Sequence, residues 1–458
     1  MGEKKKVSRR DFLQLMGAGA AVTTAALAGC RTEKAKELST DRGEVPTDKM
    51  TYRHMPDSDR PISLLGYGMM RLPVLDDDQQ VEGKSHIDQD EVNSLVDYAI
   101  AHGVNYFDTS PRYCKGFSEQ ALGIALSKHK RSEFVVATKL SNFATEDQTL
   151  EASIAMYRNS FKQLRVDYID YYLLHAIGEK ENYLQRYVNN GVLNFLLNER
   201  AAGRIKYLGW SFHGTKEFFD YMLNEQPVKF DFVQIQMNYK DWHYSQEVNA
   251  DYLYHELAKR NIPVVIMEPL LGGGLAKVNH KVLAMFQRIA PNLSPAYWAF
   301  RFCGHFPGVL TVLSGMTYME HLQENIRTYS PLEPLSDDEL AMLEKSAKLI
   351  NEFPLIGCTH CEYCMPCPYG LDIPSIFAHY NKCLNEGTFA DDVTNEDYRT
   401  NRRAFLIGYD RKVPRLRQAD HCVGCGICKP KCPQRINIPE EMQAIDRYVE
   451  KLKQNPND

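Results

Sequence analysis

Two cysteine runs near the C-terminal end constrain this chain more than any other feature. The first reads Cys358-Thr-His-Cys361-Glu-Tyr-Cys364-Met-Pro-Cys367-Pro368, and the second Cys422-Val-Gly-Cys425-Gly-Ile-Cys428-Lys-Pro-Lys-Cys432-Pro433. Together they hold eight of the 12 cysteines. Thiolates at these spacings, each run closing in Cys-Pro, form the ligand pattern of [4Fe-4S] clusters. A long region of different character precedes them, so the clusters serve, or are served by, another domain.

The pattern resembles that of bacterial two-cluster ferredoxins, where the fourth cysteine of each run ligates the other cluster. The resemblance implies one cluster on Cys358, Cys361, Cys364 and Cys432, and a second on Cys422, Cys425, Cys428 and Cys367. The second run has the full C-x2-C-x2-C-x3-C-P spacing; the first is one residue short, with only Met365 and Pro366 between Cys364 and Cys367. Zinc ribbons and disulfides are the rival readings, and successive two-residue gaps followed by Cys-Pro argue against zinc. Gly370, Gly424 and Gly426 let the backbone wrap closely. Ile373 and Ile438 are placed to shield a cluster from water. Cys114, Cys303 and Cys383 read as small core residues.

The N-terminus reads as an address. Lys4-Lys5-Lys6 and Ser8-Arg9-Arg10-Asp11-Phe12-Leu13 resemble a twin-arginine export signal. The weakly apolar stretch from Met16 to Ala28 is too short to span a bilayer. It ends in Leu27-Ala28-Gly29-Cys30, which resembles a lipoprotein cleavage site with Cys30 as the lipid attachment. The expectation is a signal over 1–29, a polar tether over 30–50, and a protein exported to the cell envelope and held at a membrane surface by its lipid. The formal net charge is -5, and no basic stripe is present. Nucleic acid is therefore not an expected partner.

Between the tether and the cysteines, strand and helix patterns alternate. Apolar or β-branched runs stand at Ile62–Leu72, Asn105–Thr109, Phe134–Leu140, Tyr168–His175, Ile205–Phe212, Phe232–Tyr239, Val264–Leu271 and Val309–Gly315. Helical patterns fill the gaps, for example Glu91–His102, Glu119–Lys128 and Leu150–Leu164, with Ser118 and Ser294-Pro295 as opening caps and Gly103 and Gly203 as closing residues. Eight such units are the count for a (β/α)8 TIM barrel, over 51–348. A doubly wound sheet would have a glycine-rich first turn that Gly66-Tyr67-Gly68 does not supply. A small, mainly helical ferredoxin-like iron–sulfur domain follows over 349–458, with helical patterning at Pro374–Asn385 and Asn395–Tyr409.

In a barrel, the C-terminal strand ends face the active site. Strand 2 ends in Asp108-Thr-Ser-Pro-Arg-Tyr113, strand 3 in Thr138-Lys139 and strand 4 in Leu173-Leu174-His175. Alone, each has a plain structural reading; together they converge on one mouth. These residues, the segment Phe161–His175 and Glu324-Asn325 resemble the aldo-keto reductases, and Asp108, Tyr113, Lys139 and His175 match that family's catalytic tetrad. The whole is similar to the bacterial branch that ends in a ferredoxin-like domain.

The chemistry follows from the groups. Reducing a carbonyl needs a hydride equivalent at carbon and a proton at oxygen. Tyr113 is the general acid, with an ordinary pKa near ~10 that Lys139 is expected to draw down. Asp108 holds Lys139, and His175 orients the carbonyl oxygen. The resemblance implies a nicotinamide donor, NADP or NAD: Ser211 and Gln234 at its carboxamide, Leu270 and Gly272 at its pyrophosphate, Gly315 and Asn325 at its adenosine end. Three positions depart from the family's common pattern. Phe212 replaces an Asn, Met267-Glu268 a Tyr-Ser, and His321 an Arg. NADH, loosely held NADPH or another donor therefore stay open. Each cluster passes one electron and a hydride carries two. Three arrangements are compatible with this: clusters wired to the tetrad with a redox partner protein, an electron-transfer module whose barrel binds a ligand, or a nicotinamide-dependent reductase with structural clusters. The substrate is a small carbonyl or alcohol.

Overall fold

The computed structural model describes residues 44–454, apart from 77–78, 81–83, 246–247, 353–354 and 391–392. The segment expected to be an export signal, and Cys30, lie outside the described residues. The segment expected to be the end of a tether is not free: Val45 packs against the barrel and Met50 is buried in its core.

Eight parallel strands close a barrel: β1 (Leu65–Gly68), β2 (Tyr106–Asp108), β3 (Val135–Leu140), β4 (Ile169–Ile177), β5 (Ile205–Phe212), β6 (Phe232–Gln236), β7 (Val264–Met267) and β8 (Val309–Ser314). Strand β8 pairs back onto β1, with Val312 opposite Leu65. Helices follow the strands and cover the outer face, while strand side chains fill the interior, so the strands are apolar on both sides. The run Ile62–Leu72 divides in two. Ile62–Ser63 pairs antiparallel with Tyr52–Arg53, and Ile62 and Met55 join the cluster of interior barrel side chains. Only Leu65–Gly68 enters the barrel.

Side-chain alternation decides what faces inward. Tyr106, Val135, Ala137, Tyr171 and Leu173 fill the interior, whereas Phe107, Val136, Leu140, Tyr172 and Leu174 pack outward against the helices. With a period of two, Asp108, Lys139 and His175 continue the inward set. The helices begin and end for local reasons. Thr149 caps Leu150–Leu164 by accepting from the Ala152 N–H, and the helix stops at Arg165 in the left-handed region. Ser294 caps Pro295–His305 in the same way. Ser118 does not cap: it is the first helical residue, and its hydroxyl donates to the Met69 carbonyl at 2.7 Å.

The helix Asp337–Asn351, opened by a capping box of Ser336 and Glu339, belongs to the barrel through Leu343, Ala347 and Ile350. Beyond it, three helices, Ile373–Asn385, Tyr398–Lys412 and Ile438–Lys453, build a second core around Ile376, Phe377, Phe405, Met442 and Ile445. No helix among the described residues is long and apolar enough to cross a membrane.

Candidate active site

The barrel mouth holds a buried ion pair. Lys139 Nζ donates to Asp108 Oδ1 at 2.6 Å and to the Thr109 carbonyl at 2.8 Å. Both side chains are buried; burial pushes Asp108 up and Lys139 down, and each charge opposes that drift in the other. Tyr113 follows β2 on a turn whose next residues, Cys114 and Lys115, adopt left-handed φ values of 49° and 54°. Its ring lies 4.9 Å from Lys139 Nζ. The expectation that Lys139 lowers the Tyr113 pKa is not met. Burial raises it well above its ordinary value, and Tyr363, Asp108 and Glu268 push the same way. The ammonium faces the ring, and its charge is already engaged by Asp108.

His175 is held on one edge by two hydroxyls. Its Nδ1 lies 2.5 Å from the Ser141 hydroxyl and 3.4 Å from that of Ser110. With Ser141 donating, Nε2 carries the hydrogen and points into the mouth. Burial, then Lys139 and Arg186, depress its pKa well below the ordinary value, so the ring is neutral. Arg186, itself buried, donates to the His175 carbonyl at 2.8 Å and fixes the end of β4.

A residue from the far domain completes this wall. The Tyr363 hydroxyl stands 3.3 Å from His175 Nε2, and its ring lies 5.8 Å from that of Phe143. Tyr363 sits between Cys361 and Cys364. Neither Tyr363 nor Ser141, Phe143 and Arg186 stood out in the sequence. A tyrosine inside a cysteine run was the one available hint.

The residues expected to bind a dinucleotide do not assemble an open site. Ser211 Oγ accepts from the Ala176 N–H at 2.8 Å, and Asn325 Nδ2 donates to Ser314 Oγ at 3.0 Å. Gln234 is buried, and its Oε1 has no hydrogen-bond partner among the described residues. Leu270 opens the turn that carries Gly272. Gly272, expected at a pyrophosphate, packs on the first cysteine run: a Cβ there would overlap the Thr359 carbonyl and lie 2.6 Å from its Cα. Its N–H is taken by Glu268 Oε2 at 2.6 Å. Gly315 faces Arg71, whose side chain a Cβ at Gly315 would meet at 3.3 Å, and the Arg71 guanidinium donates to the Thr359 carbonyl. The contact expected at Gly272 is thus taken up by protein, whereas Gln234 Oε1 is left without a partner among the described residues.

The cysteines gather in two sets that cross between the runs. Cys358, Cys361, Cys364 and Cys432 border one small cavity together with Ile373 and Ile438. Cys367 crosses the other way: despite the shortened spacing before it, it acts electrostatically on Cys428 together with Cys422 and Cys425. Burial and neighbouring thiols push Cys358 up to about 11 and Cys364 up to about 12. Four thiolates side by side need a positive centre, which is the charge that iron supplies. The two sets therefore fit iron–sulfur clusters. Cys303 and Cys383 are buried, and neither borders the cavity of the first set.

Comparison with known proteins agrees with this arrangement. The model described as "Aldo/keto reductase family" matches residues 64–348, and that described as "4Fe-4S dicluster domain" matches residues 357–437. The chain is 24% identical over 327 residues to the uncharacterized oxidoreductase YqkF of Bacillus subtilis, covering 65% of this chain and 97% of the relative. It is 26% identical over 352 residues to Protein tas of Escherichia coli, covering 64% and 97%. Among solved structures, an aldo-keto reductase from Bacillus halodurans superposes with a TM-score of 0.52 at 20% identity, covering 65% of this chain and 96% of that one. An aldo-keto reductase from Klebsiella pneumoniae in complex with NADPH gives 0.50 at 21% identity, covering 62% and 91%. These structures share the fold.

Proposed function

We propose, from the premise that this chain belongs to the aldo/keto reductase family and is an oxidoreductase with a C-terminal 4Fe-4S dicluster domain, that it interconverts a small carbonyl and its alcohol with electrons passed through two [4Fe-4S] clusters. Tyr113 supplies the proton that the carbonyl oxygen gains on reduction. The neutral His175 donates from Nε2 to the same oxygen and sets its direction. Lys139, hydrogen-bonded to Asp108, lies with its ammonium 4.9 Å from the Tyr113 ring and positions that ring at the mouth. The sets Cys358, Cys361, Cys364, Cys432 and Cys422, Cys425, Cys428, Cys367 would hold the clusters, which when bound supply one-electron storage. A redox partner protein would load them.

The observation that carries this reading is the 3.3 Å approach of Tyr363 to His175. It joins the peptide segment between two cluster ligands directly to the tetrad. We further propose export by the twin-arginine route and lipid attachment at Cys30, supported by the basic, apolar and Leu-Ala-Gly-Cys30 segments in order. The test is turnover of anaerobically purified holoprotein against a panel of aldehydes, ketones and alcohols. In Tyr113→Phe, turnover should fall about 10²- to 10⁴-fold while visible iron–sulfur absorbance is unchanged. Undiminished turnover would reject the tetrad chemistry.

A further inference from the structure

The resemblance lays a dinucleotide along a line from Ser211 and Gln234, past Leu270 and Gly272, to Gly315 and Asn325. That line is interrupted at its centre. Gly272 has a φ of 63° and no side chain, features that would suit close approach of a ligand. What approaches it here is the backbone of Thr359. Between Gly272 and Gly315 runs the Arg71 side chain, which packs on Gly315 and ends on the Thr359 carbonyl. Its own backbone carbonyl accepts from Thr317 Oγ1 at 2.9 Å, which ties it to the β8 loop. The Nη2 of a guanidinium that could have met a phosphate is thus engaged by the cysteine run.

Charge points the same way. Glu268 turns into this space with a φ of 55° and holds the Gly272 N–H, the donor a phosphate oxygen would need. Arg71 is the cation acting on it, and that cation is shared with Thr359. A pyrophosphate placed here would have to displace Glu268 from the Gly272 N–H that it already holds at 2.6 Å. At the far end, Tyr363 covers His175 beside Phe143.

We infer that the segment Thr359–Tyr363 occupies the dinucleotide corridor of the barrel, so that the assembled protein takes its electrons singly at the iron–sulfur domain from a reduced one-electron donor and not from a pyridine nucleotide. This rests on the carbonyl–alcohol reaction proposed above. The balance is simple. Each carbonyl reduced takes two electrons, from two equivalents of reduced donor that leave oxidised, and two protons from solvent. One proton reaches oxygen through Tyr113 and the other ends on carbon. Electrons arriving singly favour a carbonyl conjugated to a second π system, because delocalisation stabilises the half-reduced substrate.

The experiment uses anaerobic full-length holoprotein. NADPH and NADH are titrated by nucleotide fluorescence, hydrogen exchange is followed at 359–363, and the clusters are read by visible absorbance and electron paramagnetic resonance. The expected result is a flat titration up to about 1 mM nucleotide, the weak end of useful affinity. Exchange at 359–363 should be unchanged, and the clusters should be reduced by reduced methyl viologen but by neither nucleotide. Saturable nucleotide binding overturns the inference, whether it leaves the segment protected or frees it to exchange. So does bleaching of the clusters by NADPH or NADH. The reaction itself is read separately through Tyr113→Phe. Nucleotide binding with Tyr113-dependent turnover would overturn the corridor alone, whereas a nucleotide-silent protein whose turnover ignores Tyr113 would overturn the reaction alone.

Discussion

Tyr363 and His175 are 188 residues apart in the chain and 3.3 Å apart in the fold. The first belongs to a cysteine run and the second to a barrel strand, so this one approach makes two domains into one site. Tyr363→Phe keeps the ring against Phe143 and His175 but loses the hydroxyl. KM should rise a few-fold, as for about 1 kcal/mol, with substrate preference retained. Tyr363→Ala removes the wall, and the range of accepted substrates should widen. Steady-state kinetics on a graded series of ketones separates the two.

Cys432 lies in the second run but stands with the first set. In Cys432→Ser, the cluster assigned to Cys358, Cys361 and Cys364 should be lost, halving iron and acid-labile sulfide, while Cys383→Ser leaves both unchanged. Loss of the other cluster's spectroscopic signal instead would contradict the crossing.

Lys139 is the cation hydrogen-bonded to Asp108 in a site closed to water. Lys139→Met strands a buried carboxylate and should cost about 3–5 kcal/mol in urea unfolding. Adding Asp108→Asn should restore most of that loss, since a neutral pair no longer needs a counter-charge, while turnover stays low.

Glu119 is buried behind the tetrad, accepts from Thr138 Oγ1 at 2.6 Å, and is pushed up to about 7 by burial. Folding therefore favours its protonated form. The linked stability is full below its unfolded value of 4.5 and is lost as pH rises through 7. Glu119→Gln keeps an acceptor for Thr138 without the charge. It should stabilise the protein by about 2–3 kcal/mol at pH 8 and by little at pH 4. Equal gains at both pH values would count against this account.

Gly272 and Gly273 both have positive φ, 63° and 98°, but only Gly272 is pressed against Thr359; nothing lies within 4 Å of a Cβ at Gly273. Gly273→Ala should show backbone strain of about 1 kcal/mol and no more. Gly272→Ala should add loosened docking of the cysteine run, seen as faster hydrogen exchange at 359–363.

Much of the architecture was legible because it rests on short-range periodicity. The helix Leu150–Leu164 is bounded by a threonine cap and a left-handed stop, both local. The inward set Asp108, Lys139 and His175 follows from alternation along strands once a barrel is assumed. Errors arose where a distant partner intervened. The run Ile62–Leu72 was broken by pairing with Tyr52–Arg53. Ser118 left its expected capping role because its hydroxyl meets the Met69 carbonyl, 49 residues away. The direction of the Tyr113 pKa depends on burial and on groups from other elements, none of which spacing encodes.

By itself, the sequence determined the alternating strands and helices of the barrel and the spacing within the two cysteine runs, because apolar periodicity, strand parity and thiol spacing are properties of the chain read locally; the roles of the mouth residues and the crossing between the runs came from family resemblance. Only the tertiary structure decided what lies over the tetrad. Whether Gly272 greets a phosphate or the backbone of Thr359, and whether His175 faces solvent or Tyr363, depends on how two separately built cores dock. Docking is set by the complementary surfaces of residues distant in the chain, and no local pattern records it.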